Sequence, residues 1–332
     1  MIVNHKKSIP MKALMKIAAG SMLALSTILL FTQCKKDDTQ PKGQVQMEVT
    51  DAPIDDAQVK GAFVTIAEVQ VDGKVWNGFS GKQTIDLLAY QNGNVKSLGL
   101  GELEAGTYSN ITFVLDLASD ANGNQPGCYV LTTDNVKHDL NTTGQSKATV
   151  TFDAEDFEVK GDETTTIVVD FDLRKSIAHQ DTTTSQSKYG FVTSSELSAA
   201  LRGVVKAHAG TVKGKCNNSS QYADKVVVYA YKKGTYNKSA EVAGQGASKV
   251  QFANAVTSAT VDANGNFTLS YLPEGDYELV FAGYKDEDGD GSYELKGFLD
   301  LSILGGLNLG AITVNANASV TIEVIAMGLL PL

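Results

Sequence analysis

One short acidic run has the residue types and spacing to hold a hard cation. In Asp286-Glu287-Asp288-Gly289-Asp290-Gly291, aspartates recur at every second position and a glycine follows the third. This is the first half of a calcium loop, in which oxygens at positions 1, 3 and 5 surround the ion and a glycine at position 6 makes the sharp turn. Hard carboxylate oxygens suit calcium, whose charge offsets their mutual repulsion. Position 12 holds Gly297 in place of the glutamate of a full EF-hand, and no helix pair flanks the run. Glu294, at position 9, is the remaining candidate. The expected cofactor is therefore Ca2+ on Asp286, Asp288, Asp290 and Glu294, stiffening a loop without doing chemistry. The alternative is an exposed acidic hairpin that holds no ion.

A second set of charges lies on an expected strand, Thr164 to Leu173. Ile167, Val169, Phe171 and Leu173 form its apolar face, and Asp170, Asp172 and Arg174 share the other. Carboxylates about 6.6 Å apart on successive same-face positions could do acid–base work. The simpler expectation is that Arg174 neutralises a solvated sheet face. No nucleophile elbow, HExxH, P-loop or GxGxxG occurs. The chain is accordingly read as a non-enzyme.

Charge and cysteines narrow the partners. The net charge is -10, and the first 33 residues carry Lys6, Lys7, Lys12 and Lys16 with no acid, so residues 34–332 stand near -14. Such a polyanion repels nucleic acid, which is excluded as a partner. Cys128 and Cys216 fall in different expected domains and are read as buried free thiols, with a disulfide as the alternative. With no CxxC pair and four scattered histidines, a structural zinc site is not expected.

Lys12 and Lys16 precede an uncharged, apolar or small run from Ile17 to Phe31. It is short for a membrane span of about twenty residues and reads as a signal peptide. Phe31-Thr32-Gln33-Cys34 at its end resembles a bacterial lipoprotein signal. That resemblance implies cleavage before Cys34 and acylation of this cysteine. Phe31 and Gln33 depart from the strict motif, as in relaxed versions from Bacteroidota. Lys35-Lys36-Asp37-Asp38 is similar to the surface-export signal of the same phylum. The implied location is the outer membrane, lipid-anchored and surface-exposed, with the periplasmic face as the alternative. Residues 35–43 then form a polar tether.

The rest of the chain reads as all-β, in two β-sandwich domains over residues 44–201 and 202–332, after a signal peptide (1–33) and tether (34–43). Val45, Met47 and Val49 alternate with polar neighbours. A longer strand is expected over Val59–Val71, with Phe63, Thr65, Ala67, Val69 and Val71 on one face. Further on, Val226–Ala230 is a short apolar strand, residues 232–250 form a long polar loop, and Asp262-Ala263-Asn264-Gly265 is a tight turn.

Five motifs in order carry a family resemblance. They are Val49-Thr50-Asp51-Ala52-Pro53, Val64-Thr65-Ile66, Thr84-Ile85-Asp86-Leu87-Leu88, Gly101–Tyr108 and Val169-Asp170-Phe171-Asp172-Leu173-Arg174-Lys175-Ser176. This region resembles a lipoprotein domain family of unknown function, DUF4382. The resemblance implies a β-sandwich and brings no catalytic residues. Residues 202–325 resemble carboxypeptidase-regulatory-like domains, through Thr260–Phe267 and Leu272-Pro273-Glu274-Gly275-Asp276-Tyr277. That resemblance implies a seven-stranded, transthyretin-like Greek key, some relatives of which belong to a carbohydrate-binding-like superfamily. Asp181-Thr182-Thr183 resembles the O-glycosylation sequon of Bacteroidota, with Thr182 as the acceptor.

The resulting expectation is a cell-envelope lipoprotein acting as a non-catalytic binding or adhesion module, with glycans as candidate ligands. A structural role in an outer-membrane assembly is the alternative. Sugar binding calls for ligand-facing aromatics, for which Trp76, Tyr129, Tyr229 and Tyr231 are candidates. Assembly with an envelope protein calls for an apolar surface patch, for which Leu329 and Leu330 are candidates.

Overall fold

The computed structural model describes residues 41–52, 56–141, 143–180, 187–289, 291–306 and 308–332. The first domain contains β1 (Lys42–Thr50), β2 (Val59–Val71), β3 (Lys74–Val75), β4 (Gln83–Asp86), β5 (Lys96–Glu104), β6 (Gly106–Asp116), β7 (Tyr129–Thr132), β8 (Lys137–Asp139), β9 (Lys147–Val159), β10 (Thr164–Phe171), β11 (Ile177–His179), β12 (Tyr189–Phe191) and β13 (Leu201–Val205). Its front sheet runs β13-β10-β1-β5, and its back sheet runs β8-β7-β2-β6-β9 with β3 and β4 added to β2. Between the sheets, Val45, Met47, Val49, Ile167, Val169 and Phe171 meet Val64, Ile66, Ile111, Phe113, Val150 and Phe152 in one buried cluster. The alternation read in β1 and β10 is therefore the packed face of a sandwich.

β2 departs from its expected face. Val64 and Ile66 point into the core while Phe63 and Ala67 are only half-buried, and Val69 and Val71 are buried again. A register shift between Ile66 and Glu68 against β6 moves the inward set by one residue halfway along. An inserted residue reverses which positions face inward. Phe63 instead stacks on Tyr129 at 4.6 Å.

β10 also ends earlier than expected. Asp172 leaves the strand and caps a short helix, α1 (Leu173–Ser176), by accepting from Lys175 N. Asp170 and Val168 are buried as well as Val169, so from Ile167 to Phe171 neither face of this strand is solvated. The domain boundary expected at 201/202 falls inside β13, which pairs with β10. Gly203 permits this close fit, because a Cβ there would sit 2.9 Å from Ala154 Cβ of β9. The sheet changes after Val205, at the turn Lys206–His208.

The second domain contains β14 (Ala209–Asn217), β15 (Lys225–Lys232), β16 (Thr257–Thr260), β17 (Asn266–Pro273), β18 (Gly275–Lys285), β19 (Glu294–Ile303), β20 (Ile312–Val314) and β21 (Ser319–Pro331). These strands make one sheet, β16-β15-β18-β19-β21-β14-β17, with β20 on β18. Its end strands β16 and β17 approach each other, so the sheet nearly closes around Val212, Val228, Leu269, Tyr277, Phe281 and Val324. Asp262 makes the β16–β17 turn by accepting from Asn264 N and Asn266 N, both at 2.8 Å.

The polar stretch after β15 carries a short helix, α3 (Lys238–Ala243), after α2 (Ser194–Ala199) in the first domain. It folds over the outer face of the sheet and brings Phe252 and Ala255 against Val227, Tyr229, Tyr231 and Tyr284. Glu241, fully buried, holds it there. Its carboxylate accepts from Tyr231 Oη at 3.0 Å, Gln245 Nε2 at 2.8 Å, and Asn254 N and Nδ2 at 3.2 and 2.6 Å. Pro41–Leu332 forms one compact unit.

Candidate functional site

The motif residues converge where the second domain docks. Thr50 pairs with Asp170 across the parallel β1–β10 ladder, and just beyond it Asp51 meets the start of α1, where Asp172 is the cap. Asp170 faces Arg202 of β13, with Nη2 at 2.7 Å from Oδ2. Asp172 receives Arg174 Nη2 at 3.1 Å and Lys175 Nζ at 3.4 Å. Asp51 accepts from Leu173 N and Gln91 Nε2. Asp51, Asp170 and Asp172 are all buried.

The cations also hold backbone carbonyls of the second domain. Arg174 Nη1 donates to Gln251 O at 2.7 Å, and Lys175 Nζ donates to Ala255 O at 2.6 Å. Arg202 donates to Val256 O at 3.1 Å and Tyr271 O at 2.9 Å. Burial pushes Asp51 well above the usual carboxylate range, against the pull of its hydrogen bonds. Burial also raises Asp170, opposed by Arg202, and lowers Lys175, opposed by Asp172. Arg174 therefore does not neutralise a solvated face. It is part of a buried ionic joint whose charges are already committed to partners.

A cleft of about 460 Å³ opens beside this joint. Arg174, Asp56, His179 and Tyr189 line it from the first domain, and Phe252, Tyr284 and Tyr293 from the second. Asp56 Oδ2 accepts from Tyr189 Oη at 2.5 Å and lies 3.4 Å from His179 Nε2. Burial and the bond to Asp56 raise the Tyr189 hydroxyl, keeping it a donor. The Arg174 guanidinium lies 5.0 Å from the Tyr229 ring centroid, and that ring stacks on Phe252 at 4.1 Å. The Tyr229 and Tyr284 hydroxyls share a hydrogen bond of 2.5 Å. Among the described lining residues Asp56 is the sole carboxylate, whereas glycoside hydrolysis uses an apposed pair. Of the lining rings Tyr293 is half-buried, and Tyr189, Phe252 and Tyr284 are buried.

The residues singled out from sequence fare differently. Trp76, Tyr129, Tyr229 and Tyr231 are all buried, so they do not form an exposed platform. Trp76 lies in the first core, Tyr129 lies under Phe63 and Lys137, and the 233–256 excursion covers the other two. Tyr229 does not line the cleft and stacks on Phe252, which does. Cys128 and Cys216 are buried free thiols in separate clusters, with pKa values pushed up by burial to about 12 and about 11.

In the acidic loop, Asp286 accepts from Gly289 N at 2.8 Å and Gly291 N at 3.0 Å. Lys296 pairs with Glu287 at 2.9 Å and lies 3.6 Å from Glu294. The loop docks on the first domain through a bridge between Asp56 and Ser292, which places Tyr293 in the cleft. Among the described residues no group of three or more His, Cys, Asp or Glu is arranged to hold a metal. Cys34, Thr182 and Asp290 lie outside the described residues. Met327, Leu330 and Leu332 are exposed near the end of β21, whereas Leu329 packs against the core.

Asp56, His179 and Tyr189 were missed from sequence. They are separated by up to 133 residues, and no local spacing announces them.

No curated protein sequence matches the chain. Among solved structures, the chain is similar to a leucine-rich repeat protein from Bacteroides thetaiotaomicron VPI-5482, at 14% identity and TM-score 0.19. The match covers 87% of this chain and spans 27% of that protein. A candidate carbohydrate-binding protein from Pseudomonas aeruginosa is similar at 16% identity and TM-score 0.21, over 36% of this chain and 90% of that one. The minor pilin GBS52 of Streptococcus agalactiae is similar at 13% identity and TM-score 0.20, over 86% of this chain and 97% of that one. Likenesses this distant carry no argument about ligand or activity. Residues 42–191, which supply Asp56, Arg174, His179 and Tyr189, match the family model described as Domain of unknown function (DUF4382).

Proposed function

We propose that this protein is a lipid-anchored envelope protein that binds glycans, without catalysis, in the cleft between its two domains. The carrying observation is the convergence of exposed His179, beside Asp56, and the half-buried Tyr293 ring on one cavity. Sugar hydroxyls pair with such charged and imidazole groups, and sugar C–H faces pack on aromatic rings. The non-catalytic reading draws support from the ion pairs that occupy Asp170 and Asp172.

The leader and Cys34 support anchoring to the outer membrane through acyl chains, with the fold facing outward on its tether. The periplasmic face is the alternative location. Calcium on Asp286, Asp288, Asp290 and Glu294 belongs to the same proposal. It would stiffen the loop that carries Ser292 and Tyr293 into the cleft. Calorimetry of Asp286→Ala/Asp288→Ala protein against the parent tests this, and equal heats of calcium binding remove it.

A glycan array probed with residues 41–332 tests the main reading. The expected result is a restricted set of bound glycans, lost in His179→Ala and Tyr293→Ala protein. A second reading, assembly with an envelope protein, draws on exposed Met327, Leu330 and Leu332. A blank array together with co-purification that depends on these three residues would favour it.

A further inference from the structure

We propose that one ordered water molecule is held in the ionic joint, bridging Asp170 Oδ1 of the first domain and Ser258 Oγ of the second. Both side chains are more than nine-tenths buried. Neither of these two atoms has a hydrogen-bond partner among the described protein atoms. Asp170 commits its other oxygen to Arg202. Buried acceptors of this kind are almost always satisfied, because leaving one unpaired forfeits its hydration without return.

Both residues line the same small void, of about 10 Å³, together with Thr50, Asp51, Ser270 and Tyr271. That is the space one water needs, about 10–15 Å³ by the same measure, and the lining is rich in oxygen. Charge balance favours a neutral guest over a cation. Asp170 and Asp172 already stand against Arg174, Lys175 and Arg202, while Asp51 is held by the neutral donors Leu173 N and Gln91 Nε2. A water donates to Asp170 Oδ1 and exchanges a second hydrogen bond with Ser258 Oγ, leaving the balance unchanged. Because the two anchors come from different domains, the water is a component of the joint itself.

Two measurements test this. A crystal structure of the protein at a resolution that shows ordered water should place one density peak within hydrogen-bond distance of both atoms. An empty void, or a peak removed by chelator and closely ringed by oxygens, overturns the proposal. Second, Ser258→Val fills the void with methyl groups and Ser258→Ala leaves room for the water on Asp170. With a water present, the valine variant should raise the unfolding constant by about tenfold or more over the alanine variant, since Asp170 Oδ1 is then left unpaired. In a dry void, added methyls gain packing, and the valine variant should equal or exceed alanine in stability. That order overturns the proposal even where the crystal structure is lacking.

Discussion

Arg202 and Asp170 face each other across the antiparallel pair of β13 and β10, 2.7 Å apart, while the remaining Arg202 nitrogens hold the carbonyls of Val256 and Tyr271. One guanidinium thus joins a strand of the first domain to two segments of the second. Its planar fork of donors permits this, and a lysine could not reproduce it.

Arg202→Ala should therefore cost about 3–5 kcal/mol, because it strands a buried carboxylate. Arg202→Lys should recover only a minor part. Denaturant unfolding of the 41–332 unit measures both. A loss below about 1 kcal/mol, typical of surface substitutions, would show that the joint is not under load.

Another contact between the domains titrates with acid. Glu196 accepts from Ser248 N and Oγ at 2.9 and 2.6 Å and from Thr193 N and Oγ1 at 3.0 and 2.6 Å. Burial works to raise this carboxyl, but the hydrogen bonds outweigh it and hold it at about 2, below its ordinary 4.5. A depressed folded pKa contributes stability above the unfolded value and loses it as the pH falls through the folded one. Stability should thus decline from pH 4.5 towards about 2. Thermal melts of Glu196→Gln protein should show a flatter decline over that window than the parent. Parallel curves would assign the acid sensitivity to other groups.

Among the described glycines, Gly99 leaves the least room for a side chain. Its φ is 154°, and a Cβ there would lie 1.8 Å from Gly78 O. Gly78 in turn packs on the buried Trp76 ring, where an added Cβ would lie 2.2 Å from Cζ2. Gly99→Ala should cost about 2–4 kcal/mol or more through backbone displacement over Trp76. Near-ultraviolet circular dichroism of this one tryptophan, with a melt, checks it. An unchanged spectrum and midpoint would contradict the packing described.

Much of the framework is legible in the sequence because it is local. The Asp262 turn, the ends of β2 and the alternation of β1 follow from spacing alone. What failed depended on other parts of the chain. The inner face of β2 switches at a bulge that is set by β6. Asp170, Asp172 and Arg174 read as a solvated face because nothing near them in sequence announces the segment that covers them. Tyr229 and Tyr231 read as candidate ligand contacts because the polar stretch after β15 looks like open loop. A single buried glutamate, Glu241, folds that stretch back over them. The cleft unites residues from β11, β12, the Asp56 segment and the second domain, so its geometry exists only after folding.

The most direct measurement is calorimetric titration of the best array glycan into the 41–332 protein and into its His179→Ala and Tyr293→Ala variants. Saturable binding by the parent, weakened about tenfold or more in each variant as for a truncated anchor residue, is the predicted result. Equal affinity in all three proteins would contradict a glycan site in this cleft.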